Sequence, residues 1–162
     1  MQVSNPLASF VRPDDTIAYA SGDLVANSTT AGSVTPLSFR LGGKSSPGMT
    51  HIARVRLSKS GAATANAAFR VHFYGAGPTV ANGDNGAWSS DQAANYLGAI
   101  DVTSMKAFTD GCAEVGAAAA GAEMLIRLPA GATVFALLEA RAAYVPAANE
   151  VFTLALESLE AY

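Results

Sequence analysis

The stretch AAFRVHFY, residues 67–74, decides the fold. Phe69, Val71 and Phe73 alternate with Arg70, His72 and Tyr74. That period of two marks a β-strand with one buried face and one wetter face. HIARVRL, residues 51–57, repeats the pattern, with Ala53, Val55 and Leu57 expected inward and Arg54 and Arg56 outward. YLGAIDVT (96–103) and EMLIRLP (123–129) read as shorter strands. In TVFALLEARAAY (133–144) both parities are apolar over the first half, as in a strand covered on both faces. VFTLALESL (151–159) puts Phe152, Leu154 and Leu156 on one face.

Between these runs lie breaks rich in Gly, Pro and Asn: LGGKSSPG (41–48), SKSGAATAN (58–66), GAGPTVANGDNG (75–86) and LPAG (128–131). Short strands between such turns predict an all-β, antiparallel β-sandwich of jelly-roll-like type. The connection VPAANE (145–150), with Pro146 and Asn149 as turn formers, predicts a long antiparallel hairpin at the end of the chain. AEVGAAAAGAE (113–123) has alanine's helix propensity, but Gly116 and Gly121 interrupt it and no apolar stripe would dock it. A surface turn or loop is expected there.

The chain has 162 residues, half of them apolar and 14% charged, with a formal net charge of −3. That length fits one domain. The ten Lys and Arg are scattered, so there is no positive stripe to neutralise phosphates and no basic amphipathic stretch for a membrane surface. Neither nucleic acid nor membrane is expected as a partner. The opening MQVSNPLASFVRP lacks the basic and apolar regions of a signal peptide, so cytoplasmic synthesis is expected. The single cysteine, Cys112, leaves no internal disulfide and reads as a small buried filler.

Motifs with chemical potential each meet a plainer reading. GGKS (42–45) follows a strand, but Ser38 stands where a phosphate loop needs glycine, and SSPGM cannot open the helix that would cradle phosphate. It reads as a turn. In NGDNGAWSSD (82–91), the oxygens of Asp84, Asn85 and Asp91 make a candidate ligand loop for Ca²⁺ or sugar hydroxyls beside Trp88. The loop lacks EF-hand spacing and its terminal Glu, and the plainer reading is an exposed polar loop anchored on the core by Trp88. His51 and His72 lie on different strands without partners at metal-ligand spacing, and no G-x-S-x-G elbow is present. No catalytic residue, metal or cofactor is expected, and the chain is read as a non-enzyme.

The stretch PLASFVRPDDTIAYASGDLVANSTT (6–30) looks like a signature yet reads as architecture. Pro13 holds Arg12 extended, Asp14 or Asp15 suits an Asx-turn, and Ile17 and Tyr19 start a strand that Ser21-Gly22 turns back to Leu24 and Val25. Residues 1–36 are expected to form an N-terminal arm and lead-in strand without a packed core of its own, and residues 37–162 the sandwich.

Arg12, Pro13, Asp15, Thr16, Tyr19, Gly22, Asp23 and Val25 together resemble the opening of small proteins encoded by tailed bacteriophages and prophages. The resemblance continues through Phe69–Phe73, a Pro78-Thr79 loop with Asp84-Asn85 and Trp88, Tyr96-Leu97-Gly98, and the closing LLEARAAYVPAANEVFTLAL (137–156). It implies a virion structural protein of head-decoration or cement type, assembled in a bacterial cytoplasm. The implied partners are the major capsid protein and the chain itself, as dimer or trimer. Phe10, Arg12, Asp15 and Tyr19 would then lie on the capsid-contact arm, which gains burial only on assembly. The alternative is a carbohydrate- or receptor-binding sandwich module on a tail or head fibre. A glycan hydrolase with two carboxylates ranks last, because no pair stands out.

Overall fold

The computed structural model describes residues 2–41, 48–119, 124–128 and 133–161. Its strands are β1 (Gln2–Ser4), β2 (Leu7–Val11), β3 (Leu24–Val25), β4 (Leu37–Arg40), β5 (Gly48–Lys59), β6 (Phe69–Tyr74), β7 (Tyr96–Val102), β8 (Lys106–Phe108), β9 (Gly111–Ala117), β10 (Met124–Leu128), β11 (Thr133–Ala140) and β12 (Val151–Ala161). Regular helix among the described residues is limited to two single 3₁₀ turns, at Ala31–Ser33 and Ala93–Asn95.

The strands form two antiparallel sheets. One runs β1-β12-β5-β9-β8, with β2 continuing the β1 edge along β12 and β10 pairing β5. The other runs β3-β11-β6-β7, with β4 also pairing β11. The chain passes from one sheet to the other between β2 and β3, β4 and β5, β5 and β6, β7 and β8, β10 and β11, and β11 and β12. This is the all-β antiparallel sandwich that the alternation predicts.

The core lies between the sheets. Phe69, Val71 and Phe73 of β6 face Phe152, Leu154 and Leu156 of β12, all at most 1% exposed. Phe69 meets Tyr144 and Phe152 edge-to-face at centroid distances of 5.3 and 5.4 Å, a geometry worth about 0.5–1.5 kcal/mol per pair beyond burial. Cys112 is buried in the same core.

The structure corrects several expectations. β11 and β12 are not a hairpin: they lie in different sheets, and residues 141–150 cross between the layers. Tyr144 and Glu150 of that connection are buried and bonded to each other, so it is a strut rather than a turn. Residues 111–117 form strand β9 rather than a loop; there β5 supplies the ladder that the alanines lack in propensity. In β5 the inward set is Ile52, Val55 and Leu57 rather than Ala53, Val55 and Leu57. Arg54 pairs Glu157 while Ile52 pairs Ser158, so Ala53 is an extra bulged residue and the parity flips across it. The outer side of β6 is not wet, since His72 and Tyr74 are buried. Residues 15–20 join no strand ladder, so the strand expected from Ile17 and Tyr19 does not form. The GGKS turn lies outside the described residues.

The 1–36 segment gains its burial within the chain. Arg12, Tyr19, Leu24 and Val25 are each at most 2% exposed. In β2, Ala8 and Phe10 turn inward while Leu7 and Val11 stay exposed.

Candidate functional site

Two polar clusters stand out, one internal and one partly open. The internal cluster begins at Arg12. Pro13 cannot continue a β2 ladder and turns the chain inward, where Arg12 N–H donates to Glu150 O at 3.0 Å. The guanidinium donates to Tyr19 Oη (2.7 Å), Asp15 O (2.7 Å), Asp15 Oδ1 (3.1 Å) and Asp84 Oδ2 (2.9 Å). Asp84 Oδ1 accepts from Tyr19 Oη–H and Ala26 N–H, both at 2.7 Å. Burial pushes the Asp84 carboxyl upward, opposed by those donors, and burial together with Asp84 holds the Tyr19 hydroxyl far above its usual range. Every polar end is satisfied, as a buried charge requires.

This is where the structure places most of the sequence candidates. Of the proposed contact arm, Phe10 stacks on Phe152 at 5.5 Å. Arg12 and Tyr19 are inside, and Asp15 caps Ile17 N–H at 3.0 Å in the expected Asx-turn. With their side chains spent internally, Arg12 and Tyr19 offer a partner no surface. Of the proposed ligand loop, Asp84 is buried on Arg12, and Asn85, at φ 61°, turns its amide to Ala18 O and Asp23 Oδ2. Asp91 accepts from Thr79 N–H and Oγ1–H, each at 2.7 Å. These oxygens do not converge, and no cluster of three or more potential metal-ligating side chains gathers among the described residues.

Trp88 is the exception. Its backbone N–H donates to Gly22 O at 2.7 Å, which hangs the loop over the outer face of the β3-β11-β6-β7 sheet. Its ring stacks on His72 with centroids 4.2 Å apart. This second cluster is the one the sequence reading missed. His72 Nε2 lies 2.6 Å from Glu139 Oε2, and His72 Nδ1 lies 3.0 Å from Tyr96 Oη. A carboxylate only accepts, so the neutral ring donates from Nε2 and accepts the Tyr96 proton at Nδ1. Arg141 holds the other Glu139 oxygen at 2.8 Å, and Arg70 grips Asp101 through two bonds of 2.6 and 3.0 Å. Beneath Trp88, an apolar layer of Leu24, Ala26, Tyr74 and Leu137 covers the sheet.

Chemically the cluster is a poor reactor. Burial lowers the His72 pKa against the pull of Glu139, and burial raises the Tyr96 hydroxyl. A tyrosine nucleophile needs the opposite shift. What the cluster presents outward is the Tyr96 ring, 43% exposed, beside the Arg70–Asp101 pair. The signal for it was the β6 alternation, which lined up Arg70, His72 and Tyr74, together with Glu139 standing alone in an apolar strand.

No family model matches the chain, and no curated protein matches it. Among solved structures it aligns with the structure of a family two carbohydrate esterase from Cellvibrio japonicus, at 13% identity and a TM-score of 0.18. The alignment covers 99% of this chain and 36% of that one. A likeness that slight transfers neither fold nor activity.

Proposed function

We propose that the chain is a structural protein of a tailed-bacteriophage virion, one that decorates or cements the head by seating between capsid subunits and works without chemistry. The supporting observation is a convergence in space. The segments that carry the phage resemblance are far apart in sequence, yet they share one clasp. Arg12 and Tyr19 bind Asp84. Gly22 O accepts Trp88 N–H, and Tyr19 N–H donates to Tyr144 O. Asn149 donates to Asp14 at 2.8 Å. Residues that must agree with one another to close a fold make a more specific pattern than the same residues scattered in loops. A protein repeated at equivalent lattice positions needs little affinity per copy, because avidity multiplies it.

Quantitative peptide mapping of density-purified virions from the source phage tests this. Copy number in the hundreds, scaling with the major capsid protein, is the expected result. A handful of copies moves the chain to the tail, and absence from particles overturns the proposal.

A second reading, a saccharide- or receptor-binding module, draws on the exposed Tyr96 ring beside Arg70 and Asp101. Aromatic faces stack on sugar rings, and planar charged pairs bond adjacent hydroxyls. A glycan array that stays blank with and without calcium removes it.

A further inference from the structure

The β5-β9-β8 side of the larger sheet carries a feature that neither cluster uses. β5 turns Arg54 and Arg56 outward, and register places Val115 beside Arg56 and Lys106 beside Ala113. Phe108 and Val115 are 56% and 49% exposed. Together with Ser104 and Glu114 they line an open groove of about 540 Å³. Phe108 also walls a neighbouring groove of about 370 Å³ whose acidic residue is Asp110.

Charge is distributed unevenly around this aromatic divider. Arg54 is bound to Glu157, and Glu114 is turned to Ser104 N–H. Arg56 and Lys106 have no carboxylate partner among the described residues. β8 is also the last strand of its sheet path, so among the described residues its outward backbone groups form an open edge. Edge strands with a lysine resist indiscriminate pairing, but such an edge accepts an extended segment that brings the complementary charge.

We infer that this groove docks an extended acidic segment of a partner protein. An apolar side chain of the segment packs on Phe108 and Val115, and a carboxylate sits between Arg56 and Lys106. The segment's main chain runs along β8. Asp110 on the far side of Phe108 repels a second carboxylate and fixes the direction. Binding of this kind weakens with salt, because the cations are solvent-facing. The inference stands on the groove alone and holds whichever assembly the chain serves.

The test is selection of a random decapeptide library on the immobilised full chain, followed by measurement of each winner against two variants. Phe108→Ala removes the apolar wall and Lys106→Glu reverses the charge. Both positions are exposed, and an unchanged circular dichroism spectrum certifies each fold. The expected winners alternate apolar residues with Asp or Glu and lose at least about tenfold in affinity on either variant, roughly 1.4 kcal/mol. No enrichment overturns the inference. So do basic winners, or acidic winners that bind both variants as tightly as the parent.

Discussion

Asp84 and Arg12 are 72 residues apart in sequence, yet they meet at 2.9 Å with both side chains at 0% exposure. The pair locks the 82–91 loop to the segment that follows β2. Removing one member strands the other charge in the interior, and such losses run to about 3–5 kcal/mol. Asp84→Ala is therefore expected to lower the unfolding free energy by about that amount in denaturant titration, while Asp84→Leu combined with Arg12→Met loses less than the single change. A single variant within experimental error of the parent would show the pair to be ornamental.

Calcium should do nothing. Asp84 spends its oxygens on Arg12, Tyr19 and Ala26, and Asp91 spends its own on Thr79. A ligand that binds only the folded state raises the melting temperature by mass action. The expected thermal midpoint is identical in millimolar calcium and in excess chelator, and a calcium-dependent rise contradicts the site geometry.

His72 gives the molecule a defined pH response. Burial lowers its pKa in the folded state below the ordinary 6.5, so between the two values the unfolded chain binds more protons. Stability is then complete above about pH 6.5 and declines as pH falls from there toward the folded-state pKa. Glu139 on β11 favours the protonated ring, whereas Arg70 on β6 and Arg141 beyond β11 oppose it. Trp88 is the only tryptophan and stacks on this ring. An imidazolium accepts an electron from excited indole more readily than imidazole does, so native fluorescence should dim on acidification with a midpoint below 6.5. His72→Phe should abolish both the dimming and that part of the stability profile. A midpoint above 6.5 reverses the assigned shift.

Gly83 is the tightest backbone approach in the loop. A Cβ there would stand 2.0 Å from Thr29 O, and Asp84 N–H donates to Ser28 O beside it at 2.7 Å. Gly83→Ala must push two backbones apart, an overpacking cost of about 1–3 kcal/mol. The variant should unfold at lower denaturant with an unchanged slope. Gly32→Ala, where a Cβ meets nothing within 4 Å, should not.

The layers were legible in the sequence and their wiring was not. Alternation at Phe69–Phe73 and Phe152–Leu156 states which side chains face the core, because the pleat enforces it locally. It does not state which strand lies alongside, and so β11 and β12 passed for a hairpin although residues 141–150 span the sandwich. Ala53 shows the same limit at finer scale: a bulge is fixed by the partner strand, here at Glu157 and Ser158. The loop residues misread for a related cause. An aspartate in an Asn-Gly-rich stretch looks solvated until its arginine arrives from the other end of the chain. Trp88 was recognisable as a loop anchor, but its seat on His72, Glu139 and Tyr96 required the register of β6, β7 and β11.

The position of β12 bears on how the chain is made. This strand follows all three of its partners in sequence, yet it sits inside its sheet, with β1 and β2 along one side and β5 along the other. During synthesis the first two strands and the fifth therefore wait with unmatched edges until β12 is threaded between them. Closure is non-local, which slows folding and prolongs exposure of pairing surfaces. A nascent chain stalled before Val151 should remain open to chaperones and proteases, whereas one in which β12 has emerged can close both edges.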